Sequence, residues 1–354
     1  MTDRDRWNLR GPVRSCRLER RWCSTCRVGD ASPPLDVGDV ATVEFAPDGS
    51  LLRHAHRNHD GSTWESIYEH DDKGRLIAIR TAGAETAKHE RRHEYDDLGR
   101  LARVIVTTSN GDRVEESYEY DAQGHKRKTL HVDPESRGTG TMFWGIEGSE
   151  TGYSAADVAS FTTTYNAAGQ PVDAVCEDAN GNLLSRITLT YDDEGRLIEE
   201  TQTRVPERAL PQEILTQIPE EEAAALNTFL QLVATASSQR HRYDARGRRV
   251  ETTSSMFGPM GQDRRTMAYN VHGDLIERTD EHQHRGFEIG DDGQLAAVPN
   301  EDHTGRSEAR FQYEYDDHGN WIAKTVEGRS KPDVEFSVSS TERRTLIYYD
   351  ITAP

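Results

Sequence analysis

The stretch HEYDDLGRLARV, residues 93–104, has a counterpart in YEYDDHGNWIA at 313–323. The shared kernel is Tyr-Asp-x-x-Gly, and its physical reading is a tight turn. An Asp at the first turn position accepts bonds from backbone N–H groups ahead of it, and a glycine at the fourth takes up a left-handed conformation at little cost. A type I turn closed by such a glycine is a common hairpin connection. The flanks alternate as strands do, with Tyr313 and Tyr315 on one face and Glu314 on the other.

Anchoring on the glycine uncovers eleven copies. The others are FAPDGSL at 45, HDDKGRL at 70, YDAQGHK at 120, YNAAGQP at 165, EDANGNL at 177, YDDEGRL at 191, YDARGRR at 243, YNVHGDL at 269 and IGDDGQL at 289. Eight copies place an aromatic four positions before the glycine, nine carry Asp or Asn three before it, and seven carry Leu two after it. None of these columns was used to find the anchor, so they test it. The structural repeat positions are Tyr95, Asp96 and Gly99; Tyr120, Asp121 and Gly124; Tyr191, Asp192 and Gly195; Tyr243, Asp244 and Gly247; and Tyr315, Asp316 and Gly319. In the first copy Ala46 breaks the Asp column, and Pro47, favoured at the second turn position, keeps the turn. Segments between turns, such as VIVTT at 104–108 and ITLTY at 187–191, have strand composition. Glycines 49, 74, 99 and 124 repeat every 25 residues, a period that signals stacked supersecondary units.

The Tyr-Asp-x-x-Gly-Arg-Leu phrase resembles the YD repeat of the RHS family, whose relatives include bacterial polymorphic toxins, Tc toxin shells and teneurins. The resemblance covers roughly residues 43–325, and NLRGPVRSCRLER at 8–20 and the ending ERRTLIYYD are similar to the ends of small stand-alone members. It implies a bacterial protein built as a long antiparallel sheet that winds spirally, with tyrosines packed along its layers. The chain departs from the toxin members: it ends soon after Gly319, and HVDPESRG at 131–138 lacks the rest of the Asp-Pro-x-Gly-Leu segment that precedes a toxic cargo. Toxin delivery is therefore not inherited from the resemblance.

The expected fold is all-β: repetitive antiparallel hairpins forming a curved or spiral sheet in one continuous domain. Residues 1–42 form the N-terminal lead and first strands, 43–205 the first part of the sheet, 206–238 a helical insertion, and 239–354 the second part with a C-terminal strand. The insertion is expected as a short helix near 211–237, because Leu226, Phe229, Leu230 and Val233 have helical spacing behind a run of acids. A sheet that does not close leaves two edges, and the strand expected over 342–351 covers one of them by pairing with the chain's own body, giving a monomer.

The formal charge of −19, from 62 acidic and 43 basic residues, opposes phosphate backbones and excludes nucleic acid as a partner. The first thirty residues are the exception, with eight arginines that read as a solvated strand face. No apolar run reaches transmembrane length and no secretory leader opens the chain, which points to no membrane insertion. The expected location is cytoplasmic, or outside the cell through a specialised secretion system. Four cysteines are too few for a disulfide-stapled fold.

Three chemical candidates stand out. HERRH at 89–93 matches the zinc-protease pattern, with His89 and His93 as ligands and Glu90 as base, but that chemistry needs a helix and the repeat phase puts the segment on a strand. Cys23 and Cys26 have zinc spacing and lack an evident second pair, although Cys16, or His54 and His56 on one strand face, lie near in sequence. Glu281, His282 and His284 cluster near a turn. Paired acids such as Asp71–Asp72 and Asp192–Asp193 are explained by turn formation and solvation rather than calcium. No phosphate loop, dinucleotide fingerprint or nucleophile elbow is present.

The reading is a non-enzymatic β-scaffold, without cofactor or bound metal, acting as a protein-interaction or encapsulation module. Its partner is an unidentified protein or polysaccharide. The alternatives are a carbohydrate binder using tyrosines of a curved sheet and a zinc metalloprotease at HERRH. Aromatics held within the sheet favour the first, a solvent-facing aromatic row the second, and a helix at 84–94 the third.

Overall fold

The computed structural model describes residues 2–22, 37–83, 89–108, 111–132, 142–146, 152–155, 158–205, 237–256, 261–284, 287–289, 295–297 and 303–350. The helical insertion expected near 211–237, together with Cys23 and Cys26, lies outside these residues. A four-residue helix, α1 (Asp3–Arg6), opens the chain. There follow β1 (Val13–Trp22), β2 (Val37–Phe45), β3 (Leu51–Arg57), β4 (Thr63–His70), β5 (Leu76–Gly83), β6 (His89–Tyr95), β7 (Leu101–Thr108) and β8 (Gly111–Tyr120). Next come β9 (Lys126–His131), β10 (Met142–Gly145), β11 (Gly152–Ala155), β12 (Ser160–Tyr165), β13 (Pro171–Glu177), β14 (Leu183–Tyr191), β15 (Leu197–Arg204) and β16 (Ser237–Tyr243). The last eight are β17 (Arg249–Met256), β18 (Gly261–Tyr269), β19 (Leu275–His284), β20 (Phe287–Ile289), β21 (Leu295–Ala297), β22 (His303–Tyr315), β23 (Trp321–Arg329) and β24 (Ser337–Tyr348).

The hairpin turns explain why these strands form. At 96–100 the Asp96 N–H donates to Arg100 O and the Gly99 N–H to Asp96 O, both at 2.8 Å. The Asp96 carboxylate accepts from the N–H groups of Leu98 at 3.0 Å and Arg100 at 2.8 Å. Gly99 has φ +77°, the left-handed region that the turn demands. The same bonds recur at 71–75, 192–196, 244–248 and 316–320. At each the register shifts by one residue, with the extra residue on the strand that leaves the turn: Glu94 pairs with Arg103 and Tyr95 with Leu101, so Ala102 bulges from β7.

Strand order is cyclic. Each strand pairs antiparallel with the next, except that β9 pairs directly with β12, past the separate hairpin β10–β11, and β19 with β22, past the hairpin β20–β21. β24 then pairs with β1, from Val13↔Tyr348 to Trp22↔Ser340, completing a sheet of 20 strands. The strand expected over 342–351 is β24, bonded on one side to β23 and on the other to β1.

This closure corrects the expected curved or spiral sheet, and with it the assignment to the RHS/YD-repeat family. A spiral sheet winds past its own start and keeps two ends, whereas here the first and last strands exchange hydrogen bonds and neither edge is left open. Local contacts fix the seam. Asn320, only 2 % exposed and so in need of partners, accepts from Arg10 N at 2.6 Å and donates to Arg10 O at 2.9 Å and Tyr348 Oη at 2.8 Å. Tyr349 Oη donates to Phe45 O at 2.6 Å.

The chain divides into two compact units, Met1–Val114 with Ala268–Arg278 and Ser307–Pro354, and Glu115–Met267 with Thr279–Arg306. The first packs around Leu9, Val13, Cys16, Val43, Phe45 and Leu51. Here α1 rests on the 46–50 turn: Asp3 accepts from Leu51 N at 2.9 Å and Arg4 donates to Ala46 O at 2.7 Å. The second packs around Phe161, Ala174, Cys176, Leu184, Ile187, Leu189 and Leu197, with Tyr191 against them. In β14 the burial alternates, with Ser185, Ile187 and Leu189 inward and Arg186, Thr188 and Thr190 outward.

Candidate functional site

In the first unit, β1 to β5 bring small residues into one cross-strand row. Arg17 pairs with Thr42, Thr42 with Ala55, Ala55 with Glu65, and Glu65 with Ala82. Because side chains alternate along a strand, this row and the adjacent one, Val40, Arg57 and Thr63, share a face. The short side chains leave a recess of about 750 Å³, flanked by the side chains of Arg17, Arg53, Arg57 and Glu65, with the intervening backbone at His56 and Trp64.

Its charges are mostly spoken for. Arg53 donates Nη1 to Glu44 Oε1 at 2.8 Å and Nε to Glu65 Oε1, and the bond to Glu65, then that to Glu44, raises the guanidinium pKa. Arg17 Nη2 lies 2.9 Å from Glu19 Oε1. Arg57 is exposed at the margin. On the opposite face of the same strands, Trp64 stacks on His56 at 5.5 Å and meets His54 edge-on at 4.7 Å, and Trp7 also meets His54 edge-on, at 5.4 Å. Burial, assisted by the neighbouring His56, lowers the His54 pKa. The arrangement offers donors, acceptors and shape for binding. Its recess holds no nucleophile paired with a base.

The sequence-derived candidates fall elsewhere. His89, Glu90 and His93 lie on β6, where four residues span about 13 Å, so the two imidazoles do not share one ion. Glu90 instead faces Arg80 at 3.6 Å. The segment is therefore a strand and not the helix that the zinc-protease pattern needs. Glu281 and His282 are engaged on β19: Glu281 forms ion pairs with Arg264 at 3.4 Å and Arg306 at 3.3 Å, and His282 Nδ1 is hydrogen-bonded with Asp263 Oδ1 at 2.9 Å. His284 is on the same strand. Among the described residues no group of three or more His, Cys, Asp or Glu is placed to hold a metal. Cys16 and Cys176 are buried free thiols.

The repeat tyrosines stitch one hairpin to the next. Tyr95 Oη donates to Leu76 O at 2.7 Å, Tyr191 Oη to Pro171 O at 2.8 Å, and Tyr243 Oη to Leu197 O at 2.7 Å. In each case the acceptor lies two residues after the glycine of an earlier turn. Burial raises the pKa of Tyr95, and takes Tyr191 to about 12. Tyr315 Oη donates to Asp274 at 2.7 Å, and His272 stacks on its ring at 4.2 Å. Tyr120 closes β8 opposite Lys126.

Sequence reading overlooked three features. The residue after the glycine is often Arg, and it returns to the turn Asp: Arg75 to Asp71, Arg100 to Asp96, Arg196 to Asp192 and Arg248 to Asp244, at 2.6 to 2.8 Å. The same guanidinium lies over the next tyrosine, Arg75 at 4.3 Å from the Tyr95 ring and Arg196 at 5.3 Å from that of Tyr243. A further turn of the same kind sits at 58–62, where Asn58 N donates to Ser62 O at 2.9 Å and Gly61 has φ +85°; its signal was Asn-x-x-Gly without the aromatic. The recess was the third, announced only by Arg53, Ala55 and Arg57 alternating with the two histidines of LLRHAHR.

No protein-family profile and no curated protein matches the sequence. Among solved structures the chain is similar to a porin-like protein from Bacteroides uniformis, at 10 % identity over 96 % of this chain and 98 % of that one, with a TM-score of 0.27. It is also similar to a porin-like protein from Bacteroides vulgatus, at 11 % identity over 76 % of this chain and 96 % of that one, with a TM-score of 0.19. Scores of this size establish no common fold. The cytoplasmic location expected above is nevertheless corrected by the topology. It rested on the want of an apolar run of transmembrane length and of a secretory leader, and although no described helix is long and apolar enough to cross a membrane, a closed antiparallel sheet is an architecture that can cross with strands.

Proposed function

We propose that the protein is a non-enzymatic protein-interaction scaffold and that the recess over β1 to β5 receives its partner. The observation that carries this reading is the recess itself: a floor of Thr42, Ala55, Thr63 and Ala82 that a peptide segment can approach closely, beside the exposed Arg57 guanidinium. A partner bearing a carboxylate opposite Arg57 meets a planar fork of donors there. The tyrosines favour protein over polysaccharide as partner, because Tyr95, Tyr191 and Tyr243 spend their hydroxyls on backbone carbonyls within the sheet instead of forming a row of open stacking platforms.

The test is affinity capture with the full chain from its native source, comparing wild type with Arg57→Glu and Ala55→Trp. Circular dichroism confirms that each variant remains folded. A protein partner recovered by wild type and lost with both variants is the expected result. Partners retained equally by all three proteins would refute the recess as the docking site.

A further inference from the structure

A second polar cluster lies in the other unit. It stands at the ends of β13, β14 and β15, where register sets Cys176 opposite Ser185 and Ser185 opposite Arg204. Gln202 projects from the same face of β15, one step along. Ser185 is 1 % exposed and Gln202 6 %, and both sit beside the apolar cluster that contains Leu184 and Ile187.

The hydrogen bonding of this cluster is incomplete. Arg204 Nη2 donates to Gln202 Oε1 at 2.8 Å, which uses the one acceptor that Gln202 offers and fixes both side chains. Arg204 Nη1 and Gln202 Nε2 are buried with no hydrogen-bond partner, and the buried Ser185 Oγ has only the Cys176 sulfur, its cross-strand neighbour, to bond. Among the described residues no carboxylate lies within ion-pair distance of Arg204. The nearest on its strand face, Glu200, is engaged with His241 Nε2 at 3.0 Å. Burial lowers the Arg204 pKa, the mark of a cation short of compensation, and burial takes the Cys176 thiol up to about 12, so no thiolate supplies the missing charge.

A comparison within the molecule separates this cluster from an ordinary buried arginine. Arg344 also has Nε and Nη1 unpartnered, but its guanidinium lies 3.6 Å from the Trp321 ring centroid and Nη2 donates to Trp7 O at 3.3 Å. An aromatic face compensates that charge. Arg204 has no such ring against it among the described contacts.

We propose that Arg204, Gln202 and Ser185 form a binding site for an oxyanion, a phosphate, sulfate or carboxylate group. Arg204 Nη1 and Gln202 Nε2 can only donate and the Ser185 hydroxyl can donate, a set that suits an anion beside a buried guanidinium. A guanidinium edge presents two N–H groups in a plane, the geometry that oxyanions accept. Arg204 is the last residue of β15 and Ser185 lies near the start of β14, so the site is at a strand end, next to the 178–182 turn, rather than in mid-sheet.

The experiment uses the full chain in chloride buffer at constant ionic strength, titrated with inorganic phosphate, sulfate or succinate and followed by calorimetry and thermal unfolding. Saturable binding of one probe is expected, with the preferred probe separating tetrahedral oxyanions from carboxylates. Gln202→Met and Arg204→Met should each weaken it about 10- to 100-fold, the range for losing a charge-assisted bond. If Arg204→Met does not fold, Gln202→Met and Ser185→Ala carry the test alone. In anion-free buffer Arg204→Met should unfold no earlier than wild type, because an uncompensated buried charge has been replaced by an apolar side chain. No saturable binding of any probe, or binding unchanged in the Gln202 and Ser185 variants, overturns the proposal.

Discussion

Replacing Ile187 by Ala is the sharpest test of the register on which the sheet is built. Ile187 is fully buried in β14, between Ala174 of β13 and Gln202 of β15, while its neighbour Thr188 points outward. The substitution removes three buried carbons at about 0.8 kcal/mol each. A cavity term comes on top, since Ala174 is too small to fill the space, which places the loss at about 3–4 kcal/mol. Ile187→Val should cost about 0.5–1.5 kcal/mol, and Thr188→Ala, outside the core, should stay within about 0.5 kcal/mol. Urea unfolding followed by circular dichroism reads these as shifts in midpoint, with Ile187→Ala lower than wild type by on the order of 1 M. A one-residue slip would exchange the two faces of the strand. Equal losses for Ile187→Ala and Thr188→Ala, or a larger loss for Thr188→Ala, would therefore refute the register and the core drawn from it.

The turn glycines require left-handed backbone: Gly247 has φ +76° and open space where a Cβ would stand, so Gly247→Val should lower the urea midpoint more than Gly247→Asn, through backbone strain alone. Tyr243→Phe removes the bond to Leu197 O and should cost about 0.5–1.5 kcal/mol in the same assay. Asp71, Asp96 and Asp192 have pKa values below 3.8, chiefly because the N–H four residues ahead bonds the carboxylate, with the Arg guanidinium assisting. A depressed folded-state pKa stabilises above the unfolded value and is lost as protons bind, so stability should be level above pH 3.8 and fall as the pH drops through the folded-state values, with Asp96→Asn flattening the decline. Deleting 337–354 removes β24 and opens β1 and β23; light scattering should then show concentration-dependent association that the intact chain lacks, and an unchanged mass would argue against the seam.

The sequence by itself determined the hairpins. Asp-x-x-Gly specifies its turn through bonds no longer than four residues, and the alternation around Tyr118, Tyr120, Tyr313 and Tyr315 specifies which way each strand faces, so both are written locally. It also placed HERRH on a strand, because the phase of the aromatic column carries through His93. What the tertiary structure alone decided was how the hairpins are joined. Closure depends on β1 meeting β24, strands at opposite ends of the chain, and on Asn320 bonding Arg10 and Tyr348 across gaps that no periodicity reports. The spiral expectation failed for that reason: repeated hairpins of one local geometry suit an open sheet and a closed one, and the difference lies in long-range pairing. The same holds for the sites. The recess arises from small residues on four strands, β2 to β5, and Arg204 gains its unusual surroundings only when β13 and β14 bring Cys176 and Ser185 beside it, since a strand repeats every two residues and says nothing about its neighbour's side chains.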